Sequence, residues 1–162
     1  MERLTTITLA KEYQKFSAAH FTIFSATERE RLHGHNFSVT AALTVPVGDD
    51  GLCFSYRIYK DILKQVCEQL DEYVLIPSQS PHLQIRSEGA FYHVEFNGET
   101  MPLLKSDTIL LPIRNTTVEE FSHYILEKLL QVNQDGNRFD IRALEVRVFS
   151  GPGQCGSSSW AA

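Results

Sequence analysis

The chain has 162 residues, 43% apolar and 22% charged, which is the balance of a globular protein and fits one domain of about 100–200 residues. Its 15 Lys and Arg against 20 Asp and Glu, a net charge of −5, argue against a protein that neutralises nucleic-acid phosphates, and no apolar run reaches the ~18 residues of a membrane span. Three scattered cysteines, Cys53, Cys67 and Cys155, make no disulfide framework, and MERLTTITLAKEY has no signal-peptide core, so the expected setting is the reducing cytoplasm.

Residues 5–20 are rich in Thr, Ile, Leu, Tyr and Phe with partial alternation and predict one long strand. Residues 21–32 are polar and charged and predict a loop. Residues 33–47 alternate again, with Phe37, Val39, Ala41 and Leu43 on one face. This second strand closes in the turn residues Gly48-Asp49-Asp50-Gly51. Ile58, Ile62, Val66 and Leu70, with Tyr59 and Leu63 beside them, form the apolar stripe of a helix over about 56–70. Pro77 and Pro81 break the chain. Residues 82–104 predict short strands joined at turns, the second turn at Asn97-Gly98. A second helix over 117–130 carries Val118, Phe121, Ile125 and Leu129, and Thr117 with Glu120 fits a capping box. Residues 142–150 alternate as a last strand, and the Gly/Ser-rich tail 151–162 predicts irregular structure. The order implies a single α+β domain over 1–162, an antiparallel pair with helices on one face and a small β insert at about 82–112.

His33 and His35 flank Gly34 in the second strand, so their side chains share a face. If the first two strands are antiparallel neighbours, His20 lands beside them. Three neutral imidazoles with a fourth position open are the layout of a catalytic zinc site. Spacing alone also permits a chance His-x-His pair at a strand end. His82, His93 and His123 lie in the insert and on a helix and predict ordinary surface residues.

Phe16-Ser17-Ala18-Ala19-His20 followed by Leu32-His33-Gly34-His35-Asn36-Phe37 resembles the F-x-A-A-H … L-H-G-H-N-F signature of the 6-pyruvoyltetrahydropterin synthase / 6-carboxytetrahydropterin synthase family. Leu70-Asp71-x-x-x-Leu75, Asn115-Thr116-Thr117-x-Glu119 and Val146-x-Val148 continue the resemblance in the same order. It implies the tunnelling fold, a four-stranded antiparallel sheet with two helices on one face. It also implies a homohexamer of two stacked trimers, zinc held by His20, His33 and His35, and a pterin substrate.

The acid–base half departs from the family pattern. Where the family has a cysteine base, four residues before the first histidine of His-Gly-His, this chain has Arg29, which stays protonated and cannot be a base. The next residue gives Glu30-x-x-His33-Gly34-His35, which resembles the glutamate variant of the family, whose product is 6-hydroxymethyldihydropterin. Partial burial that raised its pKa would let Glu30 move protons; the alternative is one charge in the solvated run Glu28-Arg29-Glu30-Arg31. The family's Leu-Asp-His becomes Leu70-Asp71-Glu72, with Asp71 and Glu72 as catalytic candidates or a plain helix-end acidic pair. The family's ring-binding glutamate after the last strand is replaced by Ser150, which leaves Glu119, Thr117 and Glu72 to contact the ring. Gly151-Pro152-Gly153-Gln154 resembles the tail of some family branches, and Cys155 is an inert thiol or a displaced nucleophile. The expected function is a zinc-dependent lyase acting on the side chain of 7,8-dihydroneopterin or its triphosphate. The alternatives are a family paralogue that keeps zinc and assembly without the standard reaction, or one that acts on a different ring.

Overall fold

The computed structural model of the chain describes residues 2–134, 136 and 138–162. Its axis is β3, His33–Pro46, whose alternate residues Phe37, Val39, Ala41, Leu43 and Val45 are buried. On one side β3 pairs antiparallel with β9, Ala143–Phe149, and β9 with β10, Cys155–Ala161. On its other side it pairs with two successive segments, β1 (Leu4–Leu9) and β2 (Lys15–His20). The tail expected to be irregular is therefore strand β10: Gly and Ser have low strand propensity, and pairing along all of β9 overrides it.

The single strand expected over 5–20 is interrupted. Leu9 stands opposite Ala41 and Lys15 opposite Ser38, so residues 10–14 face only Val39 and Thr40. The excess is odd, so the chain changes face across it. Leu9 is the buried residue of β1, whereas Phe16, Ala18 and His20 are the buried ones of β2. Gln14, 1% exposed, fills the break. Its Nε2 donates to the carbonyls of Leu9 and Val39, both at 2.9 Å, and its backbone carbonyl accepts from the Val39 N–H at 2.8 Å. This bulge puts His20 on the face of β3 that carries His33 and His35.

The sheet is larger than four antiparallel strands. β4 (Tyr73–Pro77) pairs parallel with β2, and β8 (Thr108–Leu111) parallel with β4. β4 lies in the stretch that the prolines were expected to break. Pro77 ends that strand, a position where a missing N–H is tolerated. The insert proper is a separate antiparallel sheet of β5 (Gln84–Glu88), β6 (Phe91–Phe96) and β7 (Glu99–Leu104). The turn between β6 and β7 is at Asn97-Gly98, both with positive φ, and the chain rejoins the main sheet at β8, short of the expected limit at 112.

Helices α1 (Arg57–Leu70) and α2 (Val118–Gln134) both pack on the buried face of the main sheet. In α1 the buried residues are Tyr59, Leu63, Val66, Cys67 and Leu70, with Ile58 and Ile62 at the edge, so the stripe is rotated by about one residue from the expected one. α2 buries Val118, Phe121, Ile125 and Leu129 as its spacing requires. The Thr117 Oγ1 accepts from the Glu120 N–H at 3.3 Å, but Glu120 pairs with Arg114 at 2.8 Å and does not close the capping box. All three cysteines are free. Among the described residues, no helix is long and apolar enough to cross a membrane.

β10 crosses the start of α2 at Gly156, where a Cβ would lie 2.7 Å from the Val118 carbonyl carbon and 2.9 Å from the Glu119 nitrogen. Backbone on both sides cannot yield as a flexible side chain does. Gly156→Ala is expected to lower unfolding stability by about 1–3 kcal/mol, read as a lower urea midpoint with an unchanged slope.

Candidate functional site

His20 ends β2 directly opposite His33, the first residue of β3, and Ala18 stands opposite His35. Facing pairs and i, i+2 neighbours share one side of a sheet, so the three imidazoles converge. One ligand atom from each lies within 4.8 Å of the others. Each ring spends its other nitrogen on a backbone carbonyl: His20 Nδ1 on Thr116 at 3.0 Å, His33 Nδ1 on Arg31 at 2.7 Å and His35 Nε2 on Ser150 at 2.6 Å. A ring nitrogen that donates to a carbonyl leaves the other with its lone pair free. The free atoms are thus Nε2 of His20, Nε2 of His33 and Nδ1 of His35.

His20 is 4% exposed and its Nε2 is buried without a hydrogen-bond partner. A buried unpaired acceptor is costly, and a cation shared with the other two rings would satisfy it. Burial lowers the His20 pKa, against the raising effect of the Thr116 carbonyl, and the neighbouring His33 and His35 lower it further. The ring is therefore neutral at neutral pH, the state a metal ligand needs. The donor set fits a borderline-soft divalent ion.

Two side chains at the start of α2 hold this end of β2. Asn115 Nδ2 donates to the Ile23 carbonyl at 2.8 Å, and its Oδ1 accepts from the N–H groups of Ile23 and Thr116. The buried Thr116 hydroxyl donates to the Phe21 carbonyl at 2.8 Å. The resemblance of Asn115-Thr116-Thr117 marked the helix start; the role of the Thr116 carbonyl in orienting His20 has no signal in the sequence.

A cleft of about 340 Å³ opens beside the cluster, lined by residues including His20, Glu30, His35, Thr117, Glu119, Ser150 and Gln154. Glu30 Oε1 accepts from the Thr22 N–H at 2.8 Å. Burial pushes the Glu30 carboxyl up, but the hydrogen bonds from Thr22, with a smaller contribution from the nearby His33 and His20, outweigh it, so its pKa lies below the ordinary carboxylate value. The expectation of a raised pKa is thus reversed, because donors surround an only partly buried group. Asp71 and Glu72 are not in this cleft. Asp71 caps α1 and its Oδ1 accepts from the Ser17 N–H at 2.8 Å, while Glu72, at φ 65°, lines a separate cleft with Ser17, Gly34 and Asn36. Cys155 is exposed on β10. Thr22 and Gln154 are lining residues that sequence reasoning missed.

A three-histidine cluster on a mixed sheet backed by two helices defines an α+β protein of the tunnelling-fold class. Residues 8–159 match the family model for 6-pyruvoyl tetrahydropterin synthase, and the chain belongs to that family. It is 28% identical over 143 residues, 86% of each chain, to a Methanocaldococcus jannaschii protein that carries the provisional name 6-carboxy-5,6,7,8-tetrahydropterin synthase. A Pyrococcus abyssi protein of the same provisional name is 25% identical over 140 residues, 86% of this chain and 82% of that one. Among solved structures, the 6-pyruvoyl tetrahydropterin synthase of Plasmodium falciparum superposes with a TM-score of 0.88 at 27% identity, covering 98% of this chain and 99% of that one. The Plasmodium vivax enzyme, in a variant in which a glutamate described as a catalytic residue is replaced by alanine, gives 0.89 at 26% identity, covering 99% of each.

Proposed function

We propose that the chain is a zinc-dependent lyase that cleaves the side chain of 7,8-dihydroneopterin or its triphosphate, with Glu30 as the proton acceptor. The observation that carries this reading is the carboxylate of Glu30 in the cleft beside three imidazoles whose free nitrogens converge. The P. vivax relative, with its catalytic glutamate, supports it.

His20, His33 and His35 would hold the ion, which when bound supplies Lewis acidity to the side-chain oxygens of the substrate. Glu30 is ionised at neutral pH, so it can accept the proton of the second side-chain hydroxyl as the bond between the first and second side-chain carbons breaks. The second and third carbons leave as a two-carbon aldehyde, the electron pair passes into the dihydropterin ring, and the proton returned from Glu30 to the first carbon completes the hydroxymethyl product. The Thr22 N–H fixes one carboxylate oxygen, which aims the other. Thr117, Glu119 and Ser150 line the same cleft and would bind the ring end. Asp71 and Glu72 lie away from this cleft, so a catalytic part for them requires a second copy of the chain, consistent with assembly as a hexamer.

The deciding experiment is turnover of 7,8-dihydroneopterin and of its triphosphate by zinc-loaded protein, with the product separated by chromatography. Release of 6-hydroxymethyldihydropterin from either is the expected result. No turnover of either, with zinc and a pterin still bound, would assign the chain to metal and ligand binding without the reaction.

Ring affinity offers an independent check. A carboxylate accepts from two adjacent N–H groups of a pterin edge, whereas the Ser150 hydroxyl offers one neutral acceptor. A hydrogen bond to a charged group contributes about 1.5–3 kcal/mol, so Ser150→Glu should tighten neopterin binding about ten- to a hundredfold in a calorimetric titration. Weaker binding by the variant would place the ring elsewhere.

A further inference from the structure

We propose that Arg29 is a positioning residue for Glu30, and that the insert sheet β5–β7 is the brace that holds Arg29 in place. The catalytic consequence rests on the reading of Glu30 as proton acceptor; the brace itself does not.

Arg29 occupies the position of the family's usual base, yet its guanidinium is engaged elsewhere. Its Nη1 donates to the carbonyl of Glu30 at 2.8 Å. Its Cζ lies 4.8 Å from the ring centroid of Phe21 and 5.7 Å from that of Phe96. The two rings come from different parts of the chain. Phe21 follows His20, and Phe96 ends β6 of the insert. Both are buried, at 1% and 8% exposed, in one apolar cluster with Ile23, Ile76 and Val94. A planar cation over two immobile rings has few orientations to choose from, and from that position its Nη1 reaches Glu30.

Glu30 is then tied at three points. Its N–H donates to the Thr22 carbonyl at 2.8 Å, its Oε1 accepts from the Thr22 N–H at 2.8 Å, and its carbonyl accepts from Arg29. The first two ties lie within one loop, which closes on itself through the bridge of Ile23 with Arg29. The guanidinium connects that loop to a second sheet. Carboxylate placement matters because a misplacement of about 1 Å can cost roughly 10²-fold in rate. The insert sheet thereby gains a role in the site, since Phe96 gives the Glu30 loop a fixed wall.

The test uses the full chain, zinc-loaded, as Arg29→Ala, Arg29→Lys and Phe96→Ala. Amide hydrogen exchange at Thr22 and Glu30 should quicken by about tenfold or more in Arg29→Ala while β3 is unaffected. kcat should fall by about ten- to a hundredfold with KM within about twofold and zinc content unchanged. Arg29→Lys, which keeps the charge but loses the planar fork, should restore only part of kcat, and Phe96→Ala should reproduce the Arg29→Ala effect. In a Glu30→Gln background, Arg29→Ala should cost nothing more. Unchanged exchange at Thr22 and Glu30 overturns the brace whatever the activity. Equal losses from Arg29→Ala in both backgrounds overturn positioning through Glu30. Full activity of Glu30→Gln sinks the proton-acceptor reading instead, and the exchange result still decides the brace.

Discussion

Glu30→Gln is expected to lower kcat by about 10²–10⁴-fold, the usual loss when a positioned general base is removed, or about 3–5 kcal/mol in the barrier. The substitution keeps the shape of the side chain, and the amide oxygen can still accept from the Thr22 N–H that now holds Oε1. What it removes is the basic lone pair. Zinc content should not change, since the converging atoms belong to His20, His33 and His35. The measurement is steady-state turnover of the zinc-loaded variant on the substrate that the wild type accepts, with elemental analysis on the same sample. Unchanged turnover would return Glu30 to the solvated charge run and leave Glu119, in the same cleft, as the carboxylate to test.

A His33→Ala, His35→Ala double variant is expected to lose the metal and keep the fold. Neither side chain is part of the apolar core, and each makes one hydrogen bond to a carbonyl, to Arg31 and to Ser150. Such bonds contribute about 0.5–1.5 kcal/mol each, within what a domain of this size tolerates. With two of three imidazoles gone, His20 alone cannot hold the ion. Elemental analysis should show near-stoichiometric zinc in the wild type, purified without chelator, and almost none in the variant. Zinc at a hundredfold its Kd should stabilise the wild type by about 2.7 kcal/mol and the variant not at all, read as a shift in Tm with unchanged far-UV circular dichroism. Full zinc retention by the variant would place the ion elsewhere.

The residues that converge on the cluster were legible for a local reason. His33 and His35 share a face because strand side chains alternate, a property of the backbone alone. Helix α2 and the Asn97-Gly98 turn were legible in the same way, from a stripe and from turn chemistry. His20 was reached by assuming one continuous strand, yet it faces His33 only because an odd excess of residues between β1 and β2 flips the chain, a device secured by the long-range bonds of Gln14 to Leu9 and Val39. The resemblance supplied the family and the zinc expectation. It could not supply the sign of the Glu30 pKa shift, which depends on Thr22 donors that only the folded loop delivers.

Alternation, helical stripes and the His-Gly-His motif by themselves determined the α+β class, both helices and the shared face of His33 and His35, whereas the antiparallel pairing that brings His20 to them was an assumption that the register of β2 with β3 settled. Tertiary structure alone decided that the Gly/Ser tail is strand β10, that β4 and β8 extend the sheet in parallel, and that Asp71 and Glu72 stand apart from the cleft holding Glu30. The physical reason is the range of the interactions. Side-chain period and turn chemistry act within a few residues, so one sequence window contains them. A tail of low strand propensity becomes a strand only when β9 offers it a free edge. A carboxylate likewise acquires its pKa and its place in a cleft only when donors and rings from distant segments close around it.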